Sequence, residues 1–179
     1  MGGKVTLITG PILSGKTLEL LRHVKKYEVQ ARSAIIIRHT SDNDPKTLSI
    51  AKSLGLRTNF IYCDKLGDMS ATHKRTVELY SQIVFIDKGE LFDDLAYFCC
   101  RLADRRKHVF VAGLKCSPIR TGYKPITDLF PVCENIILLN SLCQSCFNEA
   151  CFYYACIGYS EENNSIETFK TQCRTCYPV

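Results

Sequence analysis

The sequence lacks the features that would place this protein in or across a membrane. No apolar run approaches the roughly 20 residues of a membrane-spanning helix. The segment 1–4 carries no apolar signal-peptide core, and internal repeats and low-complexity stretches are absent as well. These absences predict a cytoplasmic protein without a membrane partner.

A concentrated charge of one sign is also missing. The 179 residues carry a formal net charge of +5, and short basic runs such as Lys25–Lys26 and Arg105–Lys107 are scattered along the chain. This balance suits anionic small molecules as well as nucleic acid. Because no helicase-type motif and no aromatic and basic stripe accompanies these runs, nucleic acid is not an expected partner.

The most specific pattern that is present lies near the start of the chain. Residues Gly10–Thr17, with the sequence GPILSGKT, directly follow the apolar run Val5–Thr9. In the spacing G-x-x-x-x-G-K-[ST], loop N–H groups cradle phosphates, the Lys reaches the outer phosphates and the hydroxyl meets Mg²⁺. A helical pattern follows the loop, which is the order that phosphate binding needs. The predicted ATP-binding residues are Gly10, Ser14, Gly15, Lys16 and Thr17.

A second signal for phosphate chemistry is the apolar run Ile83–Ile86 followed by Asp87. A carboxylate at the end of a buried strand, beside a phosphate-binding loop, is positioned to hold Mg²⁺. The two patterns together predict binding of ATP with Mg²⁺, and Asp87 is the residue expected to face the metal.

Eleven cysteines, in a sequence that shows no signal-peptide pattern, argue against a disulfide scaffold. Four of them form two C-x-x-C pairs, Cys143 with Cys146 and Cys173 with Cys176, a pattern that can close a tetrahedral Zn²⁺ site. The alternative is two redox or unrelated pairs. The other seven are interpreted as small apolar residues without a function.

The middle of the chain alternates strand and helix patterns. Apolar runs at 33–38, 82–87 and 108–112 are typical of strands buried on both faces of a parallel sheet. Helices are predicted over 66–80 and 91–106. The apolar stripe of the second helix comprises Leu91, Leu95, Phe98 and Leu102.

These patterns predict an α/β fold with a P-loop (RecA-like) parallel sheet flanked by helices and a small C-terminal zinc-ribbon subdomain. The composition changes near Asn140, so a nucleotide-binding domain is expected at 1–140 and a zinc ribbon with a nucleoside-covering loop at 141–179. The polar segment 160–165 is predicted to be a flexible connection between the cysteine pairs.

The loop, the strand-end aspartate and the cysteine ribbon together resemble the type II thymidine kinases over nearly the whole chain. Gly10–Thr17 is similar to the family loop G-P-M-F-S-G-K-[ST], and Asp87–Asp94 is similar to D-E-[GA]-Q-F-F-x-D. Gln172–Tyr177 is close to the family ending V-C-R-x-C-[YF]. The resemblance implies ATP-dependent phosphorylation of thymidine at its 5′-hydroxyl by a homodimer or homotetramer. It also implies a nucleoside site formed by Leu91, Leu114, Phe152, Tyr153 and Phe169.

Two positions depart from the family pattern at the expected site of chemistry. Lys88 stands where the family has the Glu that takes the proton from the 5′-hydroxyl, and Asp44 stands where it has an Arg. Because an ionised Lys has no acceptor lone pair, turnover is expected to fall by roughly 10²- to 10⁴-fold. Glu90, at the family's Gln position, is the nearest carboxylate in sequence that could substitute. Lys88 and Glu90 are therefore the candidate catalytic positions, and Lys88→Glu is expected to raise turnover at least about tenfold.

Three hypotheses on function stay open at this point. The first is a working but altered thymidine kinase. The second is a non-catalytic pseudokinase that binds a nucleotide or a protein. The third is an ATPase that uses its ribbon to bind nucleic acid.

Overall fold

A six-stranded sheet organises the chain in the computed structural model, which describes residues 2–42, 44–158 and 166–178. Its strands are β1 (Lys4–Gly10), β2 (Ala34–His39), β3 (Asn59–Cys63), β4 (Ile83–Ile86), β5 (His108–Leu114) and β6 (Asn135–Leu138). They lie in the order β3-β2-β4-β5-β1-β6, and all neighbouring pairs are parallel. The predicted α/β class with a parallel sheet is confirmed.

Helices cover both faces of the sheet, because successive side chains of a strand point to opposite faces. Ile8 on β1 shares one apolar cluster with buried residues of α1 (Lys16–Val29) and α2 (Lys46–Ser53). Leu7, its neighbour, shares the opposite cluster with α4 (Leu95–Asp104) and α5 (Lys124–Leu129). The strands are therefore buried on both sides, which accounts for their continuous apolar runs.

The helix predicted over 66–80 is much shorter in the structure. Only α3 (Ala71–Arg75) is α-helical, and a wider π-type turn follows at Thr76–Tyr80. The backbone N–H of Gly67 donates to the side chain of Asp94 at 2.7 Å, and Ser70 caps the N–H of His73 at 3.2 Å. These side-chain bonds hold the preceding segment outside the helix.

The helix predicted over 91–106 begins later than its apolar pattern indicated. A 3₁₀ turn occupies Gly89–Leu91, and α4 starts at Leu95. Leu95, Phe98 and Leu102 are buried as predicted, whereas Leu91 is 39% exposed and does not join the stripe. Phe92, in an extended conformation, fills the core in its place.

The C-terminal part consists of two antiparallel hairpins. One pairs β7 (Ser141–Leu142) with β8 (Glu149–Ala150), and the other pairs β9 (Phe152–Gly158) with β10 (Ile166–Gln172). The predicted flexible connection at 160–165 lies outside the described residues. Within the described ranges, no helix combines the length and apolar character needed to cross a bilayer.

Candidate active site

The loop between β1 and α1 has a backbone that depends on two glycines. Gly15 has a φ of +83°, a left-handed conformation that other residues adopt with strain. A Cβ at Gly10 would lie 2.2 Å from the carbonyl oxygen of Leu139, which follows β6, so only glycine fits at this position. The N–H of Glu19 donates to the Gly15 carbonyl at 2.9 Å and starts the helix directly after the loop. The N-terminal N–H groups of α1 therefore open onto this loop.

Lys16 folds over the loop from the first turn of α1. Its ammonium donates to the carbonyl of Pro11 at 2.5 Å and lies 3.4 Å from the hydroxyl of Ser14. Burial lowers the pKa of Lys16 to about 8, although the carboxylates of Glu90 and Asp87 oppose that shift. A cation, a hydroxyl and the loop backbone thus face one another, as the sequence pattern predicts.

Asp87 lies at the end of β4 and is joined to the loop by hydrogen bonds. The hydroxyl of Thr17 donates to its Oδ1 at 2.9 Å, and the hydroxyl of Thr47 donates to its Oδ2 at 3.3 Å. Asp87 is 1% exposed, and burial raises its pKa while the Thr17 hydrogen bond opposes the rise. The structure therefore brings together the two residues that the sequence nominates as Mg²⁺ ligands.

Lys88, the residue after Asp87, belongs to a network of charged side chains. Its ammonium contacts the carboxylate of Asp42 and lies 3.9 Å from Oδ2 of Asp44. The guanidinium of Arg38 also donates to Asp42, from Nε at 3.0 Å and from Nη2 at 2.6 Å. The side chains of Arg38 and Asp42 are 2% and 1% exposed. Two cations therefore neutralise one buried carboxylate at the ends of β2 and β4.

Glu90, the other candidate catalytic residue, is hydrogen-bonded to the end of β5. Its Oε2 accepts the backbone N–H of Leu114 at 3.0 Å. Burial raises the pKa of Glu90, and the Leu114 hydrogen bond and the charge of Lys16 oppose this rise. The carboxylate is therefore fixed against the end of β5.

Three of the predicted nucleoside residues surround the same region. Leu114 contacts Glu90, as described, and the rings of Tyr153 and Phe169 meet edge to face with their centroids 5.7 Å apart. Tyr153 is 2% exposed, and its hydroxyl lies 3.4 Å from that of Tyr123. Burial and this hydrogen bond raise the pKa of Tyr153. Phe169 is 40% exposed and forms an outer wall.

Phe152 belongs to a different cluster from Tyr153, because adjacent strand residues point to opposite faces. Its ring meets that of Tyr177 edge to face at 5.8 Å. The cations over the two rings are those of Lys115, Arg120 and Arg174. The sequence showed no such aromatic and basic grouping, since its members are far apart along the chain. Leu91 is also separate, on the exposed surface of the 3₁₀ turn.

The four predicted cysteine ligands converge. The Sγ atoms of Cys143, Cys146, Cys173 and Cys176 all lie within 4.8 Å of one another. In a tetrahedral site with Zn–S bonds near 2.3 Å, sulfur atoms lie about 3.8 Å apart. Hydrogen bonds already join the two pairs: Gln144 N–H donates to the Thr171 carbonyl at 3.0 Å, and Thr171 Oγ1 donates to the Leu142 carbonyl at 2.6 Å. The donor set and its spacing fit zinc.

Sequence reasoning missed two contributors to the site. Thr47 lies on a helix that carried no predicted role, and its bond to Asp87 depends on packing alone. Arg38 was recognisable in principle, because a charged residue at the end of the buried run Ile35–Ile37 needs a partner. Asp42, four residues later, is that partner.

Comparison with known proteins gives one consistent result. A family profile described as thymidine kinase matches residues 3–177. The thymidine kinase of variola virus is 33% identical over 185 residues, covering 98% of this chain and 97% of the viral chain. The thymidine kinases of vaccinia virus strain Ankara and myxoma virus strain Lausanne are 32% and 29% identical, with the same coverage.

Proposed function

This chain belongs to the thymidine kinase family, and from that membership we propose that it transfers the γ-phosphoryl group of ATP to the 5′-hydroxyl of thymidine. The observation that carries the proposal is the Thr17–Asp87 hydrogen bond of 2.9 Å, which joins the glycine loop to the end of β4. A hydroxyl and a carboxylate so joined, beside a lysine, are the parts that phosphoryl transfer uses.

On the phosphate side, the chain's own groups bind and orient ATP. The loop N–H groups and the start of α1 face the phosphates, and Lys16 exchanges its contact with Pro11 for the outer phosphate oxygens. Because this ammonium is already close to the loop, little reorganisation is needed. Phosphoryl transfer depends mainly on such positioning and on electrostatic stabilisation.

Thr17 and Asp87 fit Mg²⁺, which prefers oxygen ligands and is often held by one or two protein groups together with phosphates. The Thr17 hydroxyl lies 2.9 Å from Oδ1 and 3.3 Å from Oδ2 of Asp87. When bound, Mg²⁺ would neutralise charge on the β- and γ-phosphates. Asp87, held by Thr47 as well, is oriented for that role before ATP arrives.

On the nucleoside side, we propose that thymidine lies against Leu114, Tyr153 and Phe169. The rigid edge-to-face ring pair supports a planar ligand, and the partly exposed Phe169 leaves one side open for its entry. Leu91, exposed on the 3₁₀ turn, and Phe152, whose ring contacts Tyr177, are proposed to border this site rather than to belong to the ring pair.

The four cysteines would hold Zn²⁺, which supplies a structural cross-link between the two hairpins when it is bound. We propose that residues 141–179 form a ribbon subdomain that covers the nucleoside, next to a nucleotide-binding domain at 1–140. A cytoplasmic homodimer or homotetramer is proposed on the family resemblance alone.

The test is a phosphorylation assay with purified protein, labelled thymidine, ATP and Mg²⁺. We expect thymidine monophosphate from the parent and a loss of about 10²- to 10³-fold in Lys16→Ala, because a preorganised charge at the phosphates is removed. Lys26→Ala, which removes an exposed lysine from the same helix, is the matched control and should behave as the parent. Absence of the product with every phosphate donor would overturn the proposal.

A further inference from the structure

The ends of β2 and β4 carry four carboxylates that could accept the proton of a substrate hydroxyl. They are Asp42, Asp44, Asp87 and Glu90. A general base must be ionised and able to reach the hydroxyl within hydrogen-bond distance. The contacts of each carboxylate show which of them has an oxygen left to accept that proton.

Asp42 and Asp87 are fully engaged with the protein. Asp42 accepts two hydrogen bonds from Arg38 and a third from the ammonium of Lys88, and its side chain is 1% exposed. Asp87 accepts hydrogen bonds from Thr17 and from Thr47, and it is also 1% exposed. Neither carboxylate can turn to a substrate without leaving charged or hydroxyl partners unpaired.

Glu90 is held in the interior by a backbone group. Its Oε2 accepts the Leu114 N–H at 3.0 Å, and a Cβ at Gly113 would lie only 3.2 Å from that same oxygen. The side chain is thus packed against β5 on one side. This fixed position suits a role in shaping the nucleoside side of the site better than proton transfer.

Asp44 is different, because part of its carboxylate is exposed to solvent. Its side chain is 37% exposed, and only its Oδ1 is used within its own turn, where it accepts the Lys46 N–H at 3.0 Å. Its Oδ2 lies 3.9 Å from the ammonium of Lys88. The backbone is anchored as well, since Arg38 Nη2 donates to the Asp44 carbonyl at 3.0 Å.

Lys88 links Asp44 to the phosphate side of the site. Its backbone N–H donates to Oδ1 of Asp87 at 3.1 Å, and its ammonium lies between Asp42 and Asp44. The backbone of Lys88 is left-handed, with φ 52° and ψ 52°, so its side chain leaves the strand in a direction that an ordinary strand residue would not take.

We propose that Asp44 is the general base of this protein and that Lys88 is its positioning residue. The inference rests on the proposed function. Asp44 Oδ2 accepts the proton of the thymidine 5′-hydroxyl as the bond from O5′ to the γ-phosphorus forms. The bond from that phosphorus to the bridging oxygen breaks, ADP leaves, and the exposed carboxylate releases the proton to water. The acid and the cation expected from the family resemblance are both present, with their positions 44 and 88 exchanged.

The first test is the isosteric variant Asp44→Asn, which keeps an oxygen for the Lys46 N–H. We expect kcat to fall roughly 10²-fold or more, because a positioned base supplies at least that factor. The KM for thymidine and the temperature of thermal unfolding should stay at the parent's values. Asp93→Asn removes another exposed carboxylate, is the matched control, and should leave kcat unchanged.

The second test exchanges the two charges. Asp44→Arg gathers three cations around Asp42, and Lys88→Glu gathers three carboxylates, so each single variant should lose turnover. This expectation for Lys88→Glu reverses the one drawn from the sequence. The double variant restores one charge of each sign and should exceed either single variant by about tenfold or more, because contacting residues are energetically coupled. A double variant no faster than the slower single variant would overturn the pairing.

The outcomes separate this inference from the proposed function. If Asp44→Asn makes thymidine monophosphate as fast as the parent does, the proposed function stands and Asp44 is not the base. Loss of turnover in Glu90→Gln but not in Asp44→Asn would assign the base to Glu90. A parent that forms no product refutes both proposals.

Discussion

The candidate active site has two halves, which meet at the consecutive residues Asp87 and Lys88 but differ in construction. We call Gly10–Thr17 with Asp87 the phosphate half. The acceptor half consists of Arg38, Asp42, Asp44 and Lys88, with the ring pair Tyr153 and Phe169. The phosphate half follows its sequence pattern closely, and a hydroxyl and a carboxylate join its parts. The acceptor half departs from the expected pattern and is held by ion pairs.

The comparison shows that a departure at one position has to be judged together with its partner in space. Lys88 alone indicates a lost base, and Asp44 alone indicates a lost cation. In the structure the two side chains are 3.9 Å apart, so the acceptor half keeps both charges. The phosphate half allows no such exchange, because a loop backbone and a single lysine bind one kind of ligand.

Zinc removal should have the largest effect and should act on the acceptor half. Zn²⁺ binding to four cysteines is worth on the order of 10 kcal/mol or more in zinc-dependent folds, and the ribbon carries Tyr153 and Phe169. We expect one zinc per chain by elemental analysis. Chelation should abolish thymidine binding in calorimetry while ATP binding persists.

Cys176→Ser should reproduce the effect of chelation, whereas Cys100→Ser, on α4, should keep both the metal and thymidine binding. Well-folded parent protein without zinc would contradict this account of the ribbon.

Removing Asp42 should have the next largest effect. In Asp42→Ala the buried guanidinium of Arg38 loses its carboxylate partner, and breaking a buried ion pair costs about 3–5 kcal/mol of unfolding free energy. Asp93→Ala, at an exposed position, should change it by less than about 0.5 kcal/mol. Urea denaturation measures both values.

The pH dependence of that cost has a defined sign. Burial alone would raise the pKa of Asp42, but hydrogen bonds from Lys88 and Arg38 lower it below its ordinary value. The carboxylate therefore stabilises the fold above the unfolded-state pKa near 3.9, and the contribution is lost as the pH falls through the lower folded value. Equal stability of Asp42→Ala and Asp93→Ala at neutral pH would refute the buried network.

Much of the phosphate half could be predicted from the sequence, because it is local. The strand, loop and helix start lie within Val5–Val24, and the spacing of the loop residues sets their chemistry. The cysteine pairs were recognisable for the same reason. The acceptor half could not be predicted in this way, since Asp44 and Lys88 meet only after β2 and β4 pair.

The helix boundaries illustrate the same limit. The apolar pattern placed Leu91 on a helix, but the core position belongs to Phe92, in an extended segment before α4. The segment before α3 likewise is held out of the helix by the Asp94 side chain, which lies 27 residues away from Gly67. Periodicity carries no information on such long-range hydrogen bonds.

Gly10→Ala tests the phosphate half by itself and should have an intermediate effect. The added Cβ would lie 2.2 Å from the Leu139 carbonyl, so the loop must shift. Overpacking of this kind costs about 1–3 kcal/mol, and we expect ATP affinity in calorimetry to fall roughly tenfold or more. Gly2→Ala, where a Cβ meets no atom within 4 Å, is the matched control. Unchanged ATP affinity in Gly10→Ala would show that this close approach does not shape the loop.

Tyr153→Phe should have the smallest effect. It removes one hydroxyl that lies 3.4 Å from the Tyr123 hydroxyl and keeps the ring contact with Phe169. The KM for thymidine should rise by a factor worth no more than about 1.5 kcal/mol, with ATP affinity unchanged. Tyr97→Phe, 70% exposed on α4, should leave both constants at the parent's values. A large loss of ATP affinity in Tyr153→Phe would mean that the two halves are not separate.

The most direct test of the whole account is a single-turnover experiment with the parent protein in excess over ATP labelled at its γ-phosphate. The account predicts that the label moves to thymidine monophosphate only when thymidine and Mg²⁺ are both present. A label that stays in ATP, or that appears as inorganic phosphate at the same rate without thymidine, would contradict it.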